Sequence, residues 1–114
     1  MSTDKGVKLD EGKNRLALVF NGFSHALWEV GRVGTFGANK YTDNGWQTVL
    51  NAEERYANAL LRHLFSYWNG ESIDRESNLD HLAHLAWNAL AILELHKQGE
   101  KVYEHDLRTV NNRN

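Results

Sequence analysis

The amino-acid sequence predicts an all-α protein, a small bundle of three to four helices that is completed by oligomerisation. Three observations predict this class. Apolar residues recur at spacings of three and four through much of the chain, as they do on the buried face of a helix. The 114 residues include no proline, the residue that most often breaks a helix. One helical segment is apolar nearly all round, which indicates burial on several sides.

The chain has the length of a single domain. We expect one helical domain, residues 14–98, between a flexible polar arm, residues 1–13, and a C-terminal tail, residues 99–114. The arm carries mostly polar and charged residues with two glycines, a composition that does not fill a core. The helices should therefore lie within the central 85 or so residues.

The composition excludes several classes of protein. With 13 basic and 15 acidic residues, the chain lacks the basic surface that binding to duplex nucleic acid requires. It has no cysteine, which excludes disulfides, thiol catalysis and cysteine-bound metal clusters. No apolar stretch is long enough to span a membrane, and the first residues are unlike a signal peptide. We therefore expect a cytoplasmic protein, in the cytoplasm of the host if it is viral.

The first predicted helix begins at Asn14. Its apolar face consists of residues three or four apart, Leu16, Phe20, Phe23, Leu27 and Val30. Because glycine disfavours the helix, we expect Gly31, Gly34 and Gly37 to end it. Residues 37–46 then form an ordered loop, in which an Asn-Gly pair supplies turn chemistry.

The second predicted helix runs from about Asn51 to Asn69, where Gly70 ends it. Asn51 is a suitable N-cap, and Glu53 and Glu54 complement the positive end of the helix. An acidic connector, residues 70–78, follows this helix.

The third predicted helix runs from about Ser77 to Lys97, with Gly99 as its C-cap. This is the segment that is apolar nearly all round. A domain of this size has little room for a helix buried on every side. We therefore expect a homo-oligomer, either a dimer or a tetramer.

Histidines form the first group of candidate functional residues. His81, His84 and Asn88 share one face of the third helix, and His63 lies on the apolar face of the second, next to Arg62 in sequence. Buried imidazoles and amides need polar partners. Two interpretations stay open: a satisfied internal or intersubunit network, and a functional site.

The acidic connector supplies the second group. Glu71, Asp74, Glu76 and Asp80 place four carboxylates within ten residues. Such oxygen ligands suit Mg²⁺ or Mn²⁺, which share them with substrate phosphates. The alternative is that Glu76 and Asp80 complement the helix N-terminus while the other acids are solvated.

The loop between the first two helices supplies the third group. Lys40 can hold a phosphate, while Tyr41 or Trp46 stacks on a base. The alternative is that these aromatic residues anchor the loop to the core.

Taken together, these segments resemble a known family. In order they read KGVKLDEGKNRL, TFGANKY with NGW, ANALLRHL and NGESIDRESNLDHLAHLAWNAL, and they extend over roughly residues 5–97. Their order and spacing resemble the phage-type dATP/dGTP diphosphohydrolases (MazZ-type), relatives of the MazG-like all-α nucleotide pyrophosphohydrolases. The resemblance implies an oligomeric helical fold. It also implies cleavage of purine (deoxy)nucleoside triphosphates to the monophosphate and pyrophosphate.

The resemblance also implies roles for the candidate residues. Catalytic residues that orient or deprotonate water would be His63, His81 and His84. The divalent metal, Mg²⁺ or Mn²⁺, would be held by Glu71, Asp74, Glu76 and Asp80. Substrate would be bound by Lys40, Tyr41, Trp46, Arg62 and Asn88.

One departure from the MazG-like pattern keeps other functions open. Those enzymes typically hold Mg²⁺ with paired acids on two helices, whereas this chain has Arg62-His63 on one helix and His81 and His84 on the next. Histidine suits Mn²⁺, Zn²⁺ or Ni²⁺ better than Mg²⁺. The alternatives are a phage protein that sequesters a nucleotide without turnover, a phosphohydrolase with a His/Asp metal pair, and a structural protein.

Overall fold

The computed structural model describes the backbone of residues 11–107 and the side chains of residues 11–100. Within this range the fold consists of four α-helices, one 3₁₀ turn and one small β-hairpin, which confirms the predicted all-α class. In chain order the elements are α1 Ala17–Gly22, α2 Ser24–Lys40, the 3₁₀ turn Gly45–Thr48, α3 Ala52–Trp68, β1 Ile73–Asp74, β2 Leu79–Asp80 and α4 His81–Leu107. Residues 1–10 of the predicted arm and the last seven residues of the predicted tail lie outside the described part.

The first predicted helix is divided into α1 and α2 at Phe23, whose φ and ψ of −122° and 34° are not helical. The glycines that were expected to end this helix lie inside α2, which continues to Lys40. Gly34 lies at the crossing with α4, where a Cβ atom would stand 3.5 Å from the indole nitrogen of Trp87. Packing between the helices thus outweighs the weak helix propensity of glycine here.

The predicted bounds of α3 are confirmed to within one residue at each end. Asn51 occupies the N-cap position with a left-handed φ of 56°, but its side chain makes no capping hydrogen bond. Glu53 and Glu54 lie in the first turn, as expected. Gly70 follows the helix with a φ of 95°, a conformation that glycine adopts without strain.

The connector is more ordered than the sequence indicates. It folds into a hairpin in which Ile73 pairs with Asp80 and Asp74 with Leu79. Because residues 79–80 belong to β2, α4 begins at His81 rather than at Ser77, and the His81 N–H donates to the Ser72 carbonyl at 2.9 Å. The prediction that Gly99 ends α4 was wrong, since the helix continues to Leu107.

The core lies where α2 and α4 cross the hairpin. Val33, Leu79 and Ala83 are buried there, with Phe36 and Trp87 packed against them. The aromatic cluster, Trp46, Tyr56 and Trp87, extends this core with edge-to-face contacts at centroid distances of 5.3 to 6.2 Å. This packing fixes α3 and α4 side by side and thereby positions the polar side chains between them.

Large apolar side chains remain exposed on all four helices of the described residues. On α4, Leu82 and Leu93 lie on the side opposite the histidines and are 47% and 53% exposed. In the single chain, this helix is therefore covered on one side only, whereas its sequence predicts burial on several sides. The helix α1 exposes Phe20, α2 exposes Trp28 and α3 exposes Phe65. Within the described residues, no helix is long and apolar enough to span a bilayer.

Candidate functional site

Three histidines and one aspartate meet where α3, α4 and the hairpin join. His63 projects from the inner face of α3 and is half-buried, whereas His81 and His84, from the first turn of α4, are 4% and 8% exposed. Asp74 comes from β1 and is also half-buried. The structure thus brings together four of the predicted site residues, and we call them the imidazole–carboxylate cluster.

The closest contact in the cluster joins two ring nitrogens. His63 Nδ1 and His81 Nδ1 lie 2.8 Å apart, a distance at which one nitrogen must donate a proton and the other must accept it. His81 Nε2 faces Glu71 Oε1 at 3.2 Å, and since a carboxylate only accepts, this nitrogen carries the proton. In a neutral His81 ring, the proton on Nε2 leaves the lone pair of Nδ1 facing His63. Glu71 is held in turn by Arg75, with 3.1 Å between Oε2 and Nε.

Ser77 is a member of the site that sequence reasoning missed. Its backbone N–H and its hydroxyl both donate to Asp74 Oδ2, at 2.9 and 2.7 Å. His84 Nε2 lies 2.6 Å from the same hydroxyl oxygen, and since the hydroxyl proton is given to Asp74, His84 donates to Ser77. The signal in the sequence was the Asp-x-x-Ser spacing of a side-chain-capped turn. Ser77 therefore clamps one oxygen of Asp74.

Burial sets the protonation states of the cluster. Burial lowers the pKa of His63 to about 4. The nearby His84 and His81 lower it further, whereas the negative charge of Asp74 acts in the opposite direction. Burial also lowers the pKa of His84. Burial alone would raise the pKa of Asp74, but the hydrogen bonds from Ser77 and the nearby imidazoles outweigh it, so that this pKa falls. At neutral pH the cluster therefore combines the neutral imidazoles of His63 and His84 with an ionised Asp74 carboxylate.

The lowered pKa of His63 predicts a loss of stability in acid. Between the ordinary pKa of 6.5 and the folded value of about 4, the unfolded chain binds more protons than the folded chain. The contribution of His63 to the free energy of unfolding of the metal-free protein should therefore be constant above pH 6.5 and fall as the pH drops toward 4. Because His63 is only half-buried, we expect a loss of about 1–2 kcal/mol from this group. Urea denaturation measures it, and His63→Gln should lose less over this interval; an equal loss would contradict the prediction.

The donor atoms of the cluster fit a metal ion. One ligand atom each from His63, Asp74 and His81 lies within 4.8 Å of the others. The four carboxylates that were expected to hold the metal do not form such a group among the described residues. Glu71 pairs with Arg75 and Glu76 pairs with Lys40 at 2.9 Å, while Asp80 lies on β2. The donor set that the structure gathers therefore contains two nitrogens and one oxygen.

The remaining predicted residues differ in their exposure and in their contacts. Lys40 joins the end of α2 to the hairpin turn through Glu76, and beside it Tyr41 is 70% exposed. Trp46 anchors its loop, since it packs in the aromatic cluster and its carbonyl accepts the Tyr56 hydroxyl at 2.6 Å. Arg62 is exposed on the flank of α3. Asn88 is buried one turn beyond His84 and donates to the His84 carbonyl at 2.8 Å.

Comparison with known proteins agrees with the resemblance carried by the motifs. A family profile described as dATP/dGTP diphosphohydrolase, N-terminal, matches residues 3–105. A protein of Salmonella phage PMBT28 named dATP/dGTP diphosphohydrolase is 34% identical over 90 residues, which are 79% of this chain and 29% of that relative. The chain thus spans less than a third of the length of the curated relative that it matches. No solved structure matches the chain.

Proposed function

Since this chain belongs to the family described as dATP/dGTP diphosphohydrolase, N-terminal, we propose that it catalyses metal-dependent hydrolysis of purine (deoxy)nucleoside triphosphates. The products are the monophosphate and pyrophosphate. The observation that carries this proposal is the imidazole–carboxylate cluster, because it places ionised and neutral donors at one junction of two helices. Its substrates would place its action in the cytoplasm of the host cell.

The cluster can hold a divalent cation, for which Mg²⁺ and Mn²⁺ are the expected candidates. Such a cation, when bound, neutralises phosphate charge and lowers the pKa of water. Among the histidines proposed as catalytic, His63 is poorly suited to accept a proton, because an imidazole with a pKa of about 4 is a weak base at neutral pH. His63 therefore fits the role of a ligand, and His81, whose Nδ1 lies 2.8 Å from the Nδ1 of His63, fits the same role. His84, stacked on His63 at 4.4 Å, orients that ring and donates to Ser77.

Substrate contacts are proposed for the exposed residues around the cluster. The ion pair of Lys40 and Glu76 is largely exposed, so it contributes little to stability and Lys40 can exchange to a phosphate. Tyr41 offers an exposed ring for stacking on a purine base. Arg62 can reach phosphate oxygens from α3. Trp46 and Asn88 are engaged with the protein itself, and we assign them a role in shaping the site.

We further propose that two copies associate through α4. Leu82, Ala86, Ala89 and Leu93, which we call the α4 seam, follow one another at spacings of four, three and four residues. Apolar residues at these sequence spacings form the contact face of a helix that packs side by side with a second helix. A stable interface buries about 800 Å² per partner, more than the α4 seam alone supplies. Other exposed apolar residues of the chain would therefore contribute to it.

Product analysis across a panel of nucleotides tests the proposed activity. The protein is incubated with each of the eight common ribo- and deoxyribonucleoside triphosphates, with Mg²⁺ or Mn²⁺, and the products are separated by ion-exchange chromatography. We expect monophosphate from the purine nucleotides, at rates at least about tenfold above those for pyrimidines. Absence of monophosphate from every nucleotide would refute the activity. Recovery of intact bound nucleotide in that case would support sequestration instead.

A further inference from the structure

The two close imidazole nitrogens have the spacing of neighbouring metal ligands. For metal–nitrogen bonds of about 2.0–2.1 Å, two ligands at a right angle lie about 3 Å apart. His63 Nδ1 and His81 Nδ1 are 2.8 Å apart. A cation that replaces the shared proton would thus need little movement of α3 against α4.

The partners of His81 fix the nitrogen that faces the cation. In the neutral ring that binds a metal, the Nε2–H engaged by Glu71 leaves the lone pair at Nδ1 pointing into the cluster. A carboxylate behind a ligating histidine is the usual arrangement in metal proteins, where it orients the ring and strengthens the ligand. Arg75 holds the other oxygen of Glu71 and keeps this carboxylate in place.

Asp74 completes the set from a third element. Both hydrogen bonds from Ser77 go to Oδ2, so the position of the carboxylate is fixed while its other oxygen can turn to a cation. The three ligands then come from α3, the hairpin and α4. Three ligands leave the remaining coordination positions for water and phosphate oxygens.

We propose that His63 Nδ1, His81 Nδ1 and Asp74 bind a first-row transition-metal dication, with Mn²⁺ as the test case, in preference to Mg²⁺. Mg²⁺ requires oxygen ligands and binds nitrogen poorly, whereas Mn²⁺ and the later ions of the series accept imidazole. Glu71 does not add an oxygen ligand, because its two oxygens face His81 and Arg75. The role of the ion in hydrolysis rests on the proposed function, but its binding does not.

Titration of the protein with Mn²⁺ tests this site in the absence of nucleotide. Electron paramagnetic resonance measures the concentration of free Mn²⁺ at each step. We expect one Mn²⁺ per chain, retained in a tenfold excess of Mg²⁺. His81→Ala should weaken Mn²⁺ binding by about 100-fold or more, and Glu71→Gln by about 10- to 100-fold. His96→Ala, which removes an exposed histidine of the same helix, should bind as the wild type does.

Circular dichroism checks that each variant is folded, and His63→Gln serves as the ligand variant if His81→Ala is not. The proposal is overturned if Mg²⁺ displaces Mn²⁺ at equal concentration, if the wild type binds no Mn²⁺ at millimolar concentration, or if folded ligand variants bind like the wild type. Metal binding without hydrolysis would refute the proposed function alone. Hydrolysis with Mg²⁺ and no Mn²⁺ binding would refute the metal assignment alone.

Discussion

Replacing Asp74 by asparagine is expected to lower the rate of nucleotide hydrolysis by about 100- to 1,000-fold. The amide carries no negative charge for a cation. It can also keep the hydrogen bonds from Ser77 only if its NH₂ group takes the place of the free carboxylate oxygen. The variant should be folded, because asparagine has the size of aspartate and the pairing of residue 74 with Leu79 is made by the backbone. Steady-state assays of pyrophosphate release measure the effect.

Two further variants make this result specific. Ser77→Ala should lower the rate by only about tenfold, since Asp74 keeps its charge and the hydrogen bond from the Ser77 N–H. Glu94→Gln removes an exposed acid of α4, bonded only to Gln98 among the contacts of the described residues, and should leave the rate unchanged. A rate for Asp74→Asn within threefold of the wild type would show that the cluster is not the catalytic centre.

Replacing both Leu82 and Leu93 by glutamate is expected to convert the proposed dimer to a monomer. The two leucines occupy the ends of the α4 seam and are about half exposed in the single chain. Removing each of them from an interface loses about 1.5–3 kcal/mol of apolar burial. The charges add repulsion across a twofold axis, where each residue occurs twice. Together these effects should weaken association by more than about 100-fold.

Light scattering during size-exclusion chromatography gives the mass of the wild type and of the variant. Gln98→Glu introduces the same side chain on an exposed part of α4 outside the seam, and it should stay dimeric. A monomeric wild type at high micromolar concentration would contradict the proposed association. So would a double variant that elutes as a dimer.

The sequence was most informative where residue spacing determines geometry. Asn51, Gly70 and the apolar period between them were enough to place α3. The helical spacing of His81 and His84 placed both on the inner face of α4, opposite His63. These predictions succeeded because positions three and seven residues apart on a helix share a face, whatever the helix packs against.

Other features depend on contacts between distant residues, which no local pattern contains. The strands of the hairpin are two residues long, too short to show alternation. The pairing of Lys40 with Glu76 joins residues 36 positions apart and removes a carboxylate from the expected metal set. Glycines were expected to end helices, yet Gly34 is accommodated by Trp87 and Gly99 lies within α4. Packing against Trp87 accounts for the helical position of Gly34.

The most direct test of the imidazole–carboxylate cluster as the catalytic centre of a nucleotide hydrolase is phosphorus NMR of the reaction. The wild type is mixed with dATP or dGTP and Mn²⁺, and the signals are followed with time. We predict growth of the deoxynucleoside monophosphate and pyrophosphate signals, which stops when a chelator is added. Unchanged triphosphate, release of diphosphate and phosphate instead, or turnover that continues after chelation would contradict this function.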